Sequence, residues 1–179
     1  PLSSYNSFNK IKKSREFVGQ LKKGNDLALV SDAGTPGISD PHYYLVNAAI
    51  DEGISIYSIP GPSALLAALT VSSLPMDRIV FEGFLPRKKG RIRRLENLAN
   101  EQRTVVIFES PNRINKTLQD LYQLFGNRKV AITRELTKIY EEVIRGNLEE
   151  LSILKRPWKG EITVVIAGAD KKKGRDKCR

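Results

Sequence analysis

A chain of 179 residues, 40% hydrophobic and 28% charged, suffices for one ordinary domain or two small ones and excludes a disordered or collagen-like polymer. Thirty Lys and Arg against twenty Asp and Glu give a formal +10; the last ten residues hold six basic and two acidic side chains, so the body stays basic without them. That balance fits a polyanionic partner, and equally a solubilising surface. The only cysteine, Cys178, and the only histidine, His42, exclude a disulfide framework, a cysteine metal site and a histidine-rich zinc, copper or iron site. No apolar run is long enough for a membrane-spanning helix, and residues 1–10 lack the apolar stretch of a secretory leader.

Residues 10–22 place Ile11, Phe17, Val18 and Leu21 among lysines and predict a helix, stopped by Gly24-Asn25. Residues 27–30 are a short continuous apolar strand of the kind buried in a parallel sheet. A loop dense in Gly, Pro, Asp and Ser, residues 31–41, leads to a predicted helix over 42–52. Residues 54–59 alternate as a strand, Pro60-Gly61-Pro62 turns, and a helix runs from Ser63 to about Val71. Two strands make too small a buried parallel sheet, so the first domain is expected to be incomplete, lacking an N-terminal part.

Ser73-Leu74-Pro75 reads as a linker. Beyond it, strands are expected at 78–85, 104–108, 130–132, 139–144 and 161–167. Helices are expected at 91–99, from a cap at Asn112 or Ser110 to Phe125, and in a short turn capped by Asn147. The alternation predicts an α/β chain with mostly parallel sheets. The expected domains are a truncated first domain over 1–75, a second over 76–169, and a basic flexible tail over 170–179.

Four features carry chemistry. Loop 31–41, SDAGTPGISDP, leaves a buried strand and enters a helix, where open α/β sheets bind ligands. Its glycines permit close backbone approach, and Asp32 can accept from an amine. It matches neither the Walker A nor the dinucleotide pattern, and its plain alternative is a strand-to-helix turn capped by Asp40. The turn PGPSA, residues 60–64, is expected at the same sheet edge; Pro62 and Ser63 would otherwise simply start a helix. The run from Arg87 to Arg94 holds six basic side chains and no acid. It lies at a predicted helix N-terminus, where cations oppose the macrodipole, so phosphate binding competes with a solvated face. Phe81, Phe84 and Tyr5 are candidates to stack on bases or to serve as core. Lastly, Glu109 to Arg113, Arg134 to Lys138 and Trp158 to Glu161 bring charges to strand ends, as substrate groups or as mutual ion pairs.

The stretches LVSDAGTPGISDP, IPGPSALLAAL, DRIVFEGFLPRKKGRIRRL, TVVIFESPNRI, ITRELTK, YEEVIRGN and KGEITVVIAG together resemble the ribosomal RNA small subunit methyltransferase I family, within the tetrapyrrole methylase superfamily. The resemblance covers nearly the whole chain apart from the tail. It implies two α/β domains with S-adenosylmethionine bound in the cleft between them. It also implies a cytoplasmic homodimer that methylates a cytidine ribose 2′-hydroxyl of 16S ribosomal RNA in the small subunit, with no metal and no membrane. Carried onto this chain, it puts Ser31, Asp32, Ala33, Gly34 and Thr35 around the methionine part of the cofactor. Gly61, Pro62, Ser63 and Ala64 line its adenosine side, and Phe108, Leu136, Glu161 and Ile162 close the cleft. The stretch LSSYNSFNK departs from the family pattern at Asn6 and Lys10, where histidine and glutamate are usual, and His42 stands where glycine is common. The family's glycine-rich first strand would precede residue 1.

Methyl transfer to a hydroxyl needs in-line positioning and help in removing a proton. Glu109 and Glu135 are the candidate bases, with Lys138 to stabilise a developing oxyanion. Arg87, Lys88, Lys89, Arg91, Arg93, Arg94, Arg113 and Arg134 are the candidate RNA contacts. Two rivals remain open: methylation of a small tetrapyrrole-like molecule, and a non-catalytic RNA-binding fragment.

Overall fold

The computed structural model describes residues 1–170; most of the predicted basic tail lies outside them. The described residues divide into two compact units, 1–63 and from Ala64 onward.

In the first unit, helix α1 (Lys10–Leu21) buries Ser14, Phe17 and Val18 against Leu45 and Ala49 of α2 (Tyr43–Asp51). Ser14, Phe17 and Val18 follow the helical spacing i, i+3, i+4, whereas Ile11, expected on the same apolar face, is exposed. Gly53, at φ +69, ends α2. The predicted strands at 27–30 and 54–59 are a correction. Neither segment joins a strand ladder, and Val30, Tyr57 and Ile59 are exposed. Their apolar composition favours extended backbone, but a ladder needs a hydrogen-bonded neighbour on at least one side, and neither segment pairs with the other.

The second unit is built on one sheet. Helix α3 (Ala64–Ser72) is followed by β1 (Ile79–Phe84), α4 (Arg91–Ala99), β2 (Thr104–Glu109), α5 (Ile114–Phe125), β3 (Lys129–Arg134), β4 (Glu142–Asn147), α6 (Leu148–Ser152) and β5 (Ile162–Ile166). The strand order is β1-β2-β5-β3-β4. Only β1 and β2 pair in parallel; the β2–β5, β5–β3 and β3–β4 pairs are antiparallel. The expectation of mostly parallel sheets is therefore corrected to a mixed sheet. The β3–β4 link is short enough for a hairpin, and β5 enters the middle of the sheet against the direction of both neighbours.

Alternation along the strands makes two cores. Val105, Ile107, Val130, Ile132, Ile162, Val164 and Ile166 face α4, α5 and α6. The apolar stripe of α5, Ile114, Leu118, Leu121 and Phe125, repeats at helical spacing and is buried there. Each such aliphatic side chain contributes roughly 1.5–3 kcal/mol by burial. Val106, Ala131 and Val165 point the other way, onto Ala68 and Leu69 of α3. Helix α3, read from the sequence as the end of the first domain, thus packs on the sheet of the second unit.

The topology has one consequence for function. β1, β2 and β3 run the same way, so their C-terminal ends and the start of β5 share one edge. In register, Glu109 and Arg134 both stand beside Ile162, and Phe84 beside Phe108. The three charged strand ends noted in the sequence therefore meet along a single margin.

Candidate functional site

In the first unit, the two Gly/Pro loops touch. The Thr35 N–H donates to the Pro62 carbonyl at 2.9 Å. Gly34 has φ +75, and a Cβ there would lie 2.9 Å from the Pro62 oxygen; a Cβ on Gly61 would lie 2.8 Å from Thr35 Oγ1. Both glycines are thus required by close approach, and at Gly34 also by a left-handed backbone. The Ser31 hydroxyl donates within the same loop, to the Gly34 carbonyl at 2.7 Å. Ala33, Gly34, Thr35, Gly61, Pro62 and Ala64 are exposed. Asp32 is exposed too and makes no ion pair among the described residues.

Beside the first loop lies a cavity of about 140 Å³ bordered by Ser31, Asp32, Asp40, His42 and Tyr5; residues 60–64 do not border it. The Tyr5 hydroxyl donates to the Pro41 carbonyl at 3.0 Å and lies 3.1 Å from Ser14 Oγ, so the LSSYNSFNK stretch is tied to the end of the loop. The His42 ring packs on Gly37, where a Cβ would lie 2.8 Å from it, and its Nδ1 is buried without a hydrogen-bond partner. Sequence reasoning noted His42 only as a departure; its packing on a glycine five residues upstream has no local signature.

In the second unit, the shared edge carries most of the remaining candidates, with differing surroundings. Glu109, one of the two candidate bases, is engaged within the protein. Its side chain is fully buried: Oε1 takes Arg113 Nη2 at 2.5 Å and the Ser110 N–H at 2.7 Å, and Oε2 takes the Thr117 hydroxyl at 2.6 Å. A carboxylate so enclosed holds β2 to α5, with both of its oxygens engaged inside the protein. Glu135 and Lys138 stand in a tight loop in which Glu135 and Thr137 take φ +49 and +67. Glu135 accepts the Glu161 N–H at 2.8 Å and Lys138 Nζ at 3.2 Å, and Gly160 leaves the room its side chain fills. The Glu161 N–H, then Lys138, hold the Glu135 carboxyl below its ordinary range. Glu161, 3.0 Å from Lys138, then Glu135, raise Lys138 above its own. Lys138 is thus a persistent cation and Glu135 a weak proton acceptor.

The basic residues divide in the same way. Arg91 is buried at 6% exposure; its Nε donates to Asp120 at 3.0 Å and its Nη2 to Thr117 at 2.8 Å. Arg94 pairs with Glu82, and Arg134 with Glu142 at 3.0 Å. Arg113 holds Glu109. Arg87, Lys88, Lys89 and Arg93 are exposed and make no ion pair among the described residues. Gly90, left-handed at φ +82, starts α4, which leaves the three preceding cations on an open turn.

Of the cofactor candidates here, Phe108 is half-buried with its ring 4.9 Å from Phe81 and 5.7 Å from Phe84, and Leu136 packs partly buried on the cluster of Val106, Ala131 and Val165. The Ile162 side chain faces the opposite core at 3% exposure, so only its backbone is presented at the edge. Behind the edge, sequence reasoning singled out Arg134 and Trp158 but missed Glu142, Arg156 and Asn115, which join them. Glu142 joins Arg134 to Arg156, whose guanidinium lies 4.0 Å over the Trp158 ring; the Trp158 indole donates to Asn115 at 2.7 Å. Arg156, then Arg134, lower Glu142 from 4.5 to about 2. Among the described residues no group of His, Cys, Asp and Glu could hold a metal ion, and no helix is long and apolar enough to cross a membrane.

Comparison with known proteins bears on this geometry. The family model of the tetrapyrrole (corrin/porphyrin) methylases matches residues 6–152. The ribosomal RNA small subunit methyltransferase I of Thermotoga maritima is 46% identical over 95% of this chain and 78% of its own. That of Mycobacterium tuberculosis is 54% identical over 86% of this chain and 55% of its own, so this chain spans little more than half of that relative's length. Among solved structures, the uroporphyrin-III C-methyl transferase of Thermus thermophilus in complex with S-adenyl homocysteine has a TM-score of 0.60 at 16% identity, over 90% of this chain and 74% of its own; that likeness concerns the fold. The chain belongs to the tetrapyrrole (corrin/porphyrin) methylases and, among them, to the ribosomal RNA small subunit methyltransferase I family.

Proposed function

We propose that this chain is the larger part of an S-adenosylmethionine-dependent enzyme that methylates a cytidine ribose 2′-hydroxyl in 16S ribosomal RNA, acting as a cytoplasmic homodimer on the small subunit. The observation that carries the reading is the docking of loop 31–35 on turn 60–63 through Thr35 and Pro62, in a chain 46% and 54% identical to relatives bearing that name. The donor set fits the cofactor. Asp32 is an exposed carboxylate without an internal ion pair, suited to the cofactor's ammonium group. Gly34 and Gly61 bring bare backbone together where a side chain would intrude. When bound, the cofactor supplies an electrophilic methyl group.

The residues at the sheet edge do the rest of the work. Lys138, fixed by Glu135 and Glu161, keeps its charge and favours the hydroxyl oxygen as it loses its proton. Arg87, Lys88, Lys89 and Arg93 hold phosphates, with an affinity that falls steeply as salt rises. Arg87, Lys88, Lys89 and Arg93, without an ion pair among the described residues, lie on one turn and helix start and favour an extended polyanion over a small tetrapyrrole. The test is methyl transfer by the full-length protein from labelled S-adenosylmethionine to purified, unmethylated small subunits, with the label mapped to base or ribose. Label on a cytidine ribose supports the proposal; no transfer, or label on a base carbon, rejects it.

A further inference from the structure

Two of the eight arginines and lysines read from the sequence as RNA contacts have a different task, an inference that rests on the proposed function. The turn from Leu85 to Gly90 carries Arg87, Lys88 and Lys89 and is closed by the Arg91 N–H on the Lys88 carbonyl at 3.2 Å. What else holds it comes from below. Arg113 Nη1 donates to the Leu85 carbonyl at 3.0 Å, and Arg91 Nη1 reaches the Pro86 carbonyl at 3.4 Å. Each guanidinium is anchored on a buried carboxylate, Arg113 on Glu109 at 2.5 Å and Arg91 on Asp120 at 3.0 Å. Thr117 joins the two halves: it accepts from Arg91 at 2.8 Å and donates to Glu109 at 2.6 Å. The chain of contacts runs from Asp120 through Arg91, Thr117 and Glu109 to Arg113, under consecutive carbonyls of the basic turn.

The geometry points to Arg91 and Arg113 as positioning residues, which fix the backbone of the turn so that Arg87, Lys88, Lys89 and Arg93 meet successive phosphates. Burial supports this over direct contact for Arg91; for the partly exposed Arg113 the support is its double engagement with Glu109 and the Leu85 carbonyl. Arg91 is closed off from solvent, and both of its strongest donors are spent inside the protein. A guanidinium can grip three partners in fixed directions, whereas an ammonium on a flexible stem cannot. Holding the turn in advance lowers the ordering cost of binding without adding a charge to the interface.

The experiment uses the full-length protein and purified small ribosomal subunits, with Kd measured across a range of salt. Arg91→Lys keeps the charge and loses the fork; Thr117→Val breaks the link and changes no charge. Each is expected to raise Kd about three- to tenfold and leave the salt slope and cofactor affinity unchanged. Amide exchange over residues 87–90 should quicken. Lys88→Ala and Lys89→Ala, by contrast, should each lower the salt slope by about one. Ile166→Val, a core change away from the network, controls for simple loss of stability and should leave Kd alone. If Arg91→Lys does not fold, Thr117→Val carries the same comparison. Wild-type Kd in a folded Thr117→Val, an Arg91→Gln that lowers the salt slope, or a Kd that also rises in Ile166→Val would overturn the inference alone. A wild-type protein that does not bind small subunits, or that binds them equally well without Lys88 and Lys89, overturns the phosphate grip and this inference with it.

Discussion

Gly34→Ala tests the docking of the two loops most directly. At φ +75 an L-residue costs about 1–2 kcal/mol. The new Cβ would also stand 2.9 Å from the Pro62 oxygen, closer than such contacts are found, so the loop must shift. The shift endangers the Thr35 to Pro62 hydrogen bond, worth about 0.5–1.5 kcal/mol. Together these move the docked arrangement by about 2–3 kcal/mol, or roughly 30- to 150-fold in cofactor affinity at 1.4 kcal/mol per tenfold. Gly24→Ala is the matched control. Its φ is +85 and a Cβ there meets nothing within 4 Å, so it should lower the melting temperature and spare affinity. Calorimetric titration of both full-length variants with S-adenosylmethionine, beside thermal melts, separates the effects. A Gly34→Ala protein that binds cofactor within threefold of wild type would refute the reasoning, because the loop junction would then not shape the site.

Other changes test the second unit. Glu109→Gln replaces the charged acceptor of the partly exposed Arg113 by a neutral amide and should destabilise the fold by about 1–3 kcal/mol, measured by urea denaturation; a variant as stable as wild type but inactive would point to Glu109 as a chemical participant. Glu142, lowered to about 2 by Arg156 and Arg134, adds stability that is present above pH 4.5 and lost as pH falls toward 2. After solvent screening this amounts to ~1–2 kcal/mol, and Glu142→Gln should flatten that part of the denaturation profile between pH 5 and pH 2.5. Trp158→Phe removes the indole donor and leaves Asn115 Oδ1 short of a partner, for a cost of about 1–3 kcal/mol, with the guanidinium of Arg156 losing its best ring.

The helices were legible because their apolar spacing is regular. Those of α4 and α5 place Leu95, Leu98, Ile114, Leu118, Leu121 and Phe125 on buried faces, as their periodicity requires. The inner strands β2, β3 and β5 are legible as runs of Val and Ile, whereas β4, expected at 139–144, lies at Glu142–Asn147, because its composition, EVIRGN, carries no such run. Strand directions are not legible, because a strand such as β5, buried on both faces at Ile162–Ile166, reads the same whichever way it runs. The error at 27–30 and 54–59 has another source. Composition there reports a preference for extended backbone, while a ladder depends on a neighbour that the local sequence does not contain.

The site divides along the same line between local and distant information. Glycine-rich loops announce themselves because their need is local: Gly34 and Gly61 are demanded by backbone geometry that the residues around them help to set. The basic run does not declare which of its members is buried. Arg91 differs from Arg87 only through Thr117 and Asp120, which lie 26 and 29 residues away in sequence and contribute one hydroxyl and one carboxylate. Helical phase separates them after the fact: Arg91, Leu95 and Leu98 share the buried face of α4, while Arg93 lies off it. A cation at a helix start opposes the macrodipole, and here one of those cations is matched instead by a buried carboxylate on the neighbouring helix. Burial there removes Arg91 from the surface charge and turns it to holding the carbonyls beneath those cations that stay outside. The density of arginine and lysine in the run therefore reports two functions at once, and only the partners of each side chain tell them apart.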